Sequence, residues 1–106
     1  MKRKETIKDK KEFNDIIKNS SFHKNKNLVL YYKERTDNEK MYAVAISRQV
    51  GKAHLRNYLK RITRVSIDQN RKLFKNGFNY IIMIRKNCAD VSFQELNDSL
   101  IDLLKQ

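Results

Sequence analysis

Apolar residues recur along this chain with two different periods, and the changes between them mark its elements. Residues 1–8 have neither: Lys2, Arg3, Lys4 and Lys8 surround Glu5 and predict a flexible basic arm. Phe13, Ile16 and Ile17 then fall on one side of a helix that runs to about Lys18 and ends at Asn19-Ser20-Ser21. Asp9 and Glu12 stand ahead of it at the spacing of an N-cap and its capping-box partner. A very short strand is expected within residues 22–26, followed by the β-branched and aromatic run 28–32. Period two puts Val29 and Tyr31 on one face of that strand and Leu28, Leu30 and Tyr32 on the other. The polar segment 34–40 reads as a hairpin connection. It leads to a strand over 41–47 in which small Ala43, Ala45 and Ser47 oppose large Tyr42, Val44 and Ile46, a small side suited to a close-packed helix.

Helical spacing returns after Gly51. Leu55, Tyr58, Leu59, Ile62, Val65 and Leu73 map to one side, and Arg56, Lys60, Arg61, Arg64, Arg71 and Lys72 to the other. Ile67 and Phe74 break this division, which predicts a second contact or the end of the helix before Phe74. Residues 80–85 form a continuous apolar run expected to be a strand buried on both faces. Ser92 and Glu95 have capping-box spacing and open a last helix with Phe93, Leu96, Leu100, Leu103 and Leu104 in a stripe. Both glycines, Gly51 and Gly77, stand at junctions between helix and strand. The predicted class is therefore α+β, a two-layer α/β sandwich in the order αβββαβα, forming one domain over residues 1–106.

Charge changes the picture from fold to partner. The net charge is +12, and residues 48–75 carry nine basic side chains against the single acid Asp68. A solvated helix face normally mixes signs to form pairs one turn apart, so this imbalance calls for a polyanion, with nucleic acid preferred over a membrane surface. Glu95, Asp98 and Asp102 make the last helix acidic outside, so the basic charge is segregated. A lone Cys88 excludes an intrachain disulfide. The apolar run 81–84 is far below the roughly 20 residues of a membrane span. The start of the chain has no apolar segment of a secretory signal, and a cytoplasmic protein is expected.

Few residues here can perform chemistry. His23 and His54 are the only near-neutral acid–base groups, and nothing in the sequence pairs them. Apart from Asp68 the acids lie mostly on the first helix, the 34–40 connection and the last helix, away from the basic stretch, and no phosphate-binding glycine loop is present. The residues thus describe a binder with no catalytic side chains and no metal site of its own. The alternatives are a non-enzymatic ribosomal or RNA-assembly protein and a stand-alone nuclease built on the two histidines.

The basic stretch resembles the protein component of bacterial ribonuclease P. That family has a Val/Ile-Gly-x-Ala turn, an Arg-Asn-Arg motif, then Lys-Arg and a further Arg. Val50-Gly51-Lys52-Ala53, Arg56-Asn57, Lys60-Arg61 and Arg64 match in order and spacing, while Tyr58 stands in place of the second Arg. The resemblance implies an unusual left-handed βαβ crossover containing the basic helix, where physics alone favours a right-handed one. It further implies a protein subunit, monomeric in a 1:1 complex with RNA, that assists removal of the 5′ leader from precursor tRNA. Mg2+ is expected on the RNA subunit. Arg48, Lys52, Arg56, Asn57, Lys60, Arg61 and Arg64 would meet the catalytic RNA. Phe13, Ile17 and Tyr31, with Lys26 and Arg85, would meet the leader, Ile17 replacing a common Phe.

Overall fold

The computed structural model describes residues 5–106 apart from the Asn87 side chain. Its order is α1 (Lys10–Asn19), β1 (Ser21–Lys24), β2 (Leu28–Glu34), β3 (Lys40–Ile46), α2 (Ala53–Gln69), β4 (Phe78–Ile84) and α3 (Phe93–Leu104). The strands form one sheet in the order β1-β2-β4-β3, in which only the β3–β4 pair is parallel. The α+β class and the succession of elements agree with the hydrophobic pattern.

β4 is buried on both faces. On one, Ile81 packs with Ile7, Ile16 and Ala43 beneath α1. On the other, Tyr80, Ile82 and Ile84 join Leu59, Ile62 and Ile67 of α2 and Leu96, Leu100 and Leu103 of α3. Such a strand gains its burial only in the interior of a sheet. This overturns the hairpin expected at residues 34–40: β4 lies between β2 and β3, and the segment passes over its end. Arg35 N–H donates to the Gly77 carbonyl at 2.7 Å, and Gly77 N–H donates to that of Glu39 at 2.8 Å. Gly77 makes both bonds with φ at 83°, where a side chain is strained.

The small side of β3 faces the incoming chain, with Ile7 and Ala43 in one cluster, while the helix on that side, α1, lies over β2 and β4. Ile7 N–H donates to the Tyr42 carbonyl at 2.8 Å, and Thr6 bridges Tyr42 in parallel. The arm predicted over 1–8 is therefore fixed to the β3 edge at Thr6 and Ile7, while residues 1–4 lie outside the described part. Asp9 caps α1 by accepting from Lys11 N–H at 3.0 Å. Glu12, predicted to complete a capping box, instead accepts from Asn79 Nδ2 at 3.1 Å. Ser92 Oγ caps α3 by accepting from Glu95 N–H at 3.2 Å.

α2 is rotated relative to the predicted face. Its buried residues are Leu59, Ile62, Thr63, Ser66 and Ile67, whereas Tyr58 and Val65 are 40% and 43% exposed. The sequence pattern hid this because two small polar residues complete the inner stripe. Thr63 Oγ1 donates to the Leu59 carbonyl at 2.7 Å, and Ser66 Oγ bonds Asn97 Oδ1 of α3 at 2.7 Å. The helix ends before Phe74, which reaches the core through edge contacts with Tyr42 and Tyr80, ring centroids 5.1 and 4.8 Å away.

Leu59→Ala is expected to destabilise the protein by about 2–5 kcal/mol, as for other fully buried leucines. Val65→Ala, on the exposed flank of the same helix, should stay within about 0.5 kcal/mol. Urea denaturation of both variants checks the rotation of α2, since the predicted face would make both costly.

Candidate nucleic-acid interface

Two surfaces carry the candidate residues, and the sheet separates them. The first is the outer side of α2. Arg48 lies in a short 3-10 turn before the helix, and Lys52 is its N-cap residue without a side-chain cap bond. Asn57, Arg61 and Arg64 are exposed, while Arg56 and Lys60 are half-buried on the flank. Arg56 Nε is buried without a hydrogen-bond partner. The first turn of α2 has no acidic residue. Cations therefore reinforce the positive end of the helix dipole, an arrangement that costs helix stability and favours an incoming anion.

Three cations elsewhere are paired with carboxylates. Lys33 pairs with Asp15, Arg35 with Asp37 and Glu12, and Arg71 with Glu5 and Asp68. Among the described residues, no carboxylate is within ion-pair distance of Arg48, Lys52, Arg56, Lys60, Arg61 or Arg64. The nearest ordering contact on Arg61 is aromatic: its guanidinium carbon is 5.5 Å from the centroid of the Tyr58 ring.

The second surface lies between α1 and the sheet. Phe13, Ile17 and Tyr31 come together there, half-buried around Ile16, Ala43 and Ile81. Strand register extends this floor beyond the residues named from sequence. Phe22, Tyr31, Ile81 and Ala43 form one row across all four strands, and Lys24, Val29, Met83 and Ala45 form the next. Phe22 is 53% exposed, with its ring centroid 5.8 Å from that of Tyr31. Sequence reasoning missed Phe22, although period two from a paired strand would have placed it beside Tyr31. Lys26 is exposed in the β1–β2 turn. Arg85 is drawn into structure, its Nη1 donating to the Asn25 carbonyl at 2.6 Å and its N–H to that of Asn27 at 2.9 Å.

A polar clamp closes the end of this cleft where α1 begins. Arg35 grips Asp37 through two bonds of 2.8 and 2.9 Å and reaches Asn79 Oδ1 at 2.6 Å, while Asn79 donates to Glu12. The Arg35 hydrogen bonds hold the Asp37 carboxyl down to about 2. Asp15 is likewise lowered, chiefly by its bond from Lys33.

His23 and His54 are not brought together. The first stacks on Tyr32 at 5.1 Å in edge strand β1, and the second is exposed in the first turn of α2. Burial raises the Cys88 thiol to about 11, so it is a packed neutral side chain. Among the described residues, no three His, Cys, Asp or Glu side chains cluster to hold a metal ion. No helix among them is long and apolar enough to cross a membrane.

The fold and its charge define a class: a small α+β domain with un-neutralised cations on the helix that joins β3 to β4 and an aromatic cleft on the opposite sheet face. Comparison with known proteins supplies the particular family. The profile of the Ribonuclease P family matches residues 1–106. The ribonuclease P protein components of Bacillus cereus (strain ATCC 10987 / NRS 248) and Bacillus mycoides (strain KBAB4) are each 32% identical, over all of this chain and 93% of their own length. The RNase P protein of Thermotoga maritima superposes with a TM-score of 0.86 at 26% identity, covering 95% of this chain and 96% of that one. The Staphylococcus aureus RNase P protein has the same fold, with a TM-score of 0.87 at 24% identity over 95% and 93% of the two chains. The chain belongs to the ribonuclease P protein family, and with it to tRNA processing.

The depressed Asp37 carboxyl makes the clamp pH-dependent. Its contribution is present above the ordinary carboxyl range and is lost as pH falls through about 2. Thermal melting between roughly pH 4 and 2 should therefore fall more steeply for the native chain than for Asp37→Asn.

Proposed function

We infer that this chain is the protein subunit of a ribonucleoprotein endonuclease, binding the catalytic RNA through α2 and the single-stranded 5′ leader of precursor tRNA in the α1 cleft. The observation that carries this reading is the pair of unlike surfaces on opposite faces of one sheet. A folded RNA presents phosphates in fixed geometry, suited to the exposed guanidinium groups of Arg61 and Arg64 and to the Asn57 amide, with Arg56, Lys60, Lys52 and Arg48 around them. A leader of varied sequence presents bases whose only common feature is a π-face, suited to Phe13 and Tyr31 with Ile17 as an apolar wall. The separation lets one small protein hold both RNAs at once.

Hydrolysis is assigned to the RNA subunit, where bound Mg2+ would activate water and stabilise the leaving oxygen. The protein acts by charge and position: it neutralises phosphates where substrate and catalytic RNA approach, raising substrate affinity and metal occupancy in the RNA. Lys26 adds a cation at the β1–β2 turn of the cleft. Arg85, with its guanidinium on Asn25, shapes that turn and contributes field to the same end. A monomeric protein in a 1:1 complex suffices, because one chain carries both surfaces. Family membership favours this reading over a ribosomal or assembly protein, and the dispersed histidines give no support to a stand-alone nuclease.

Arg64→Ala is expected to weaken binding of the RNA subunit about tenfold and to lower the slope of log affinity against log salt by about one. Phe13→Ala is expected to weaken only leader-bearing substrate, by about 1–3 kcal/mol, leaving affinity for leaderless tRNA unchanged. Fluorescence titrations at several salt concentrations check both. A salt-independent affinity contradicts the electrostatic account, and equal losses with and without a leader contradict the cleft assignment.

A further inference from the structure

We propose that Tyr58 is a positioning residue that presents Arg61 to an RNA phosphate. The inference rests on the reading of α2 as the surface for the catalytic RNA and adds a device by which one of its cations is held ready. Tyr58 is large, aromatic and 40% exposed on a helix whose core face lies elsewhere. Its burial does not explain it. Arg61 follows one turn later, with its guanidinium carbon 5.5 Å from the ring centroid. Val65, 43% exposed, follows Arg61 by another turn, so by helical spacing the arginine sits between two apolar side chains.

The value of this arrangement is clear beside the other ordered cations. Arg35 and Arg71 are held by carboxylates, which fix the guanidinium and also neutralise it. An aromatic face attracts a cation through its quadrupole and carries no net charge. Arg61 is therefore restrained with its full positive charge retained and its N–H fork open to a bidentate phosphate contact. Less side-chain freedom is lost on binding than for an arginine moving freely in solvent. Tyr58, standing where the family motif has an arginine, gives up one possible phosphate contact and strengthens its neighbour's.

The test is a double-mutant cycle on binding of the full chain to a bacterial ribonuclease P RNA, with Tyr58→Leu, Tyr58→Phe, Arg61→Ala and the two double variants. Tyr58→Leu should weaken binding roughly two- to fivefold, the size of an exposed cation–π contact, while Tyr58→Phe should retain the affinity. In the Arg61→Ala background, Tyr58→Leu should have no further effect. Thermal melting of each variant separates loss of fold from loss of binding. Equal effects of Tyr58→Leu with and without Arg61 overturn the proposal and assign the ring to direct stacking on RNA. No effect of Arg61→Ala also overturns it, and the broader reading of α2 fails only if Arg56→Ala and Arg64→Ala are equally silent.

Discussion

A strand that must be covered on both faces determines much of this architecture. Ile81 points to the α1 side and Tyr80, Ile82 and Ile84 to the α2–α3 side, so β4 is stable only between other strands with helices above and below. β2 and β3 are made before β4 along the chain, yet they leave a place between them that the later strand fills. Because β4 runs parallel to β3, the connection between them has to travel the length of the sheet, and α2 is that connection. The helix with the densest charge is thus attached at both ends to adjacent strands. Its inner stripe of Leu59, Ile62, Thr63, Ser66 and Ile67 fixes which residues face outward.

Charge is distributed to match. Lys33, Arg35 and Arg71 are closed by carboxylates, and their ion pairs with Asp15, Glu12 and Glu5 join separate segments of the chain. Along the first half of α2 the cations repel one another and oppose the helix dipole, a cost met by burial of the opposite face. In the proposed RNA complex a polyanion offsets this cost, so the same side chains that weaken the free helix favour binding. The Arg35 clamp has a different task. It joins α1, the segment after β2 and β4 at one end of the cleft, keeping Phe13 and Ile17 over the sheet.

Much of this was legible in the sequence, for reasons that differ by element. Period two in β2 correctly divided Val29 and Tyr31 from Leu28, Leu30 and Tyr32, because each face has its own core. The double-sided run at β4 was equally direct. Its consequence for topology was missed at residues 34–40, since a polar connection looks the same whether it joins neighbours or passes over a third strand. The face of α2 was misread by the weight given to Tyr58 and Val65: apolar character identified them as core, while Thr63 and Ser66 took the buried places by satisfying their hydroxyls locally. Glu12 was assigned to a cap because its better partner, Asn79, is 67 residues away. The basic residues and the Phe13–Tyr31 cluster were found through motif and spacing, whereas Phe22 became visible only when strand pairing brought it beside Tyr31.

The most direct test of the account is cleavage of a precursor tRNA carrying a 5′ leader, at low Mg2+, by this protein alone, by a bacterial ribonuclease P RNA alone, and by the two together. The account predicts correct removal of the leader only in the mixture. Cleavage by the protein alone would contradict it, as would an RNA whose activity the protein leaves unchanged.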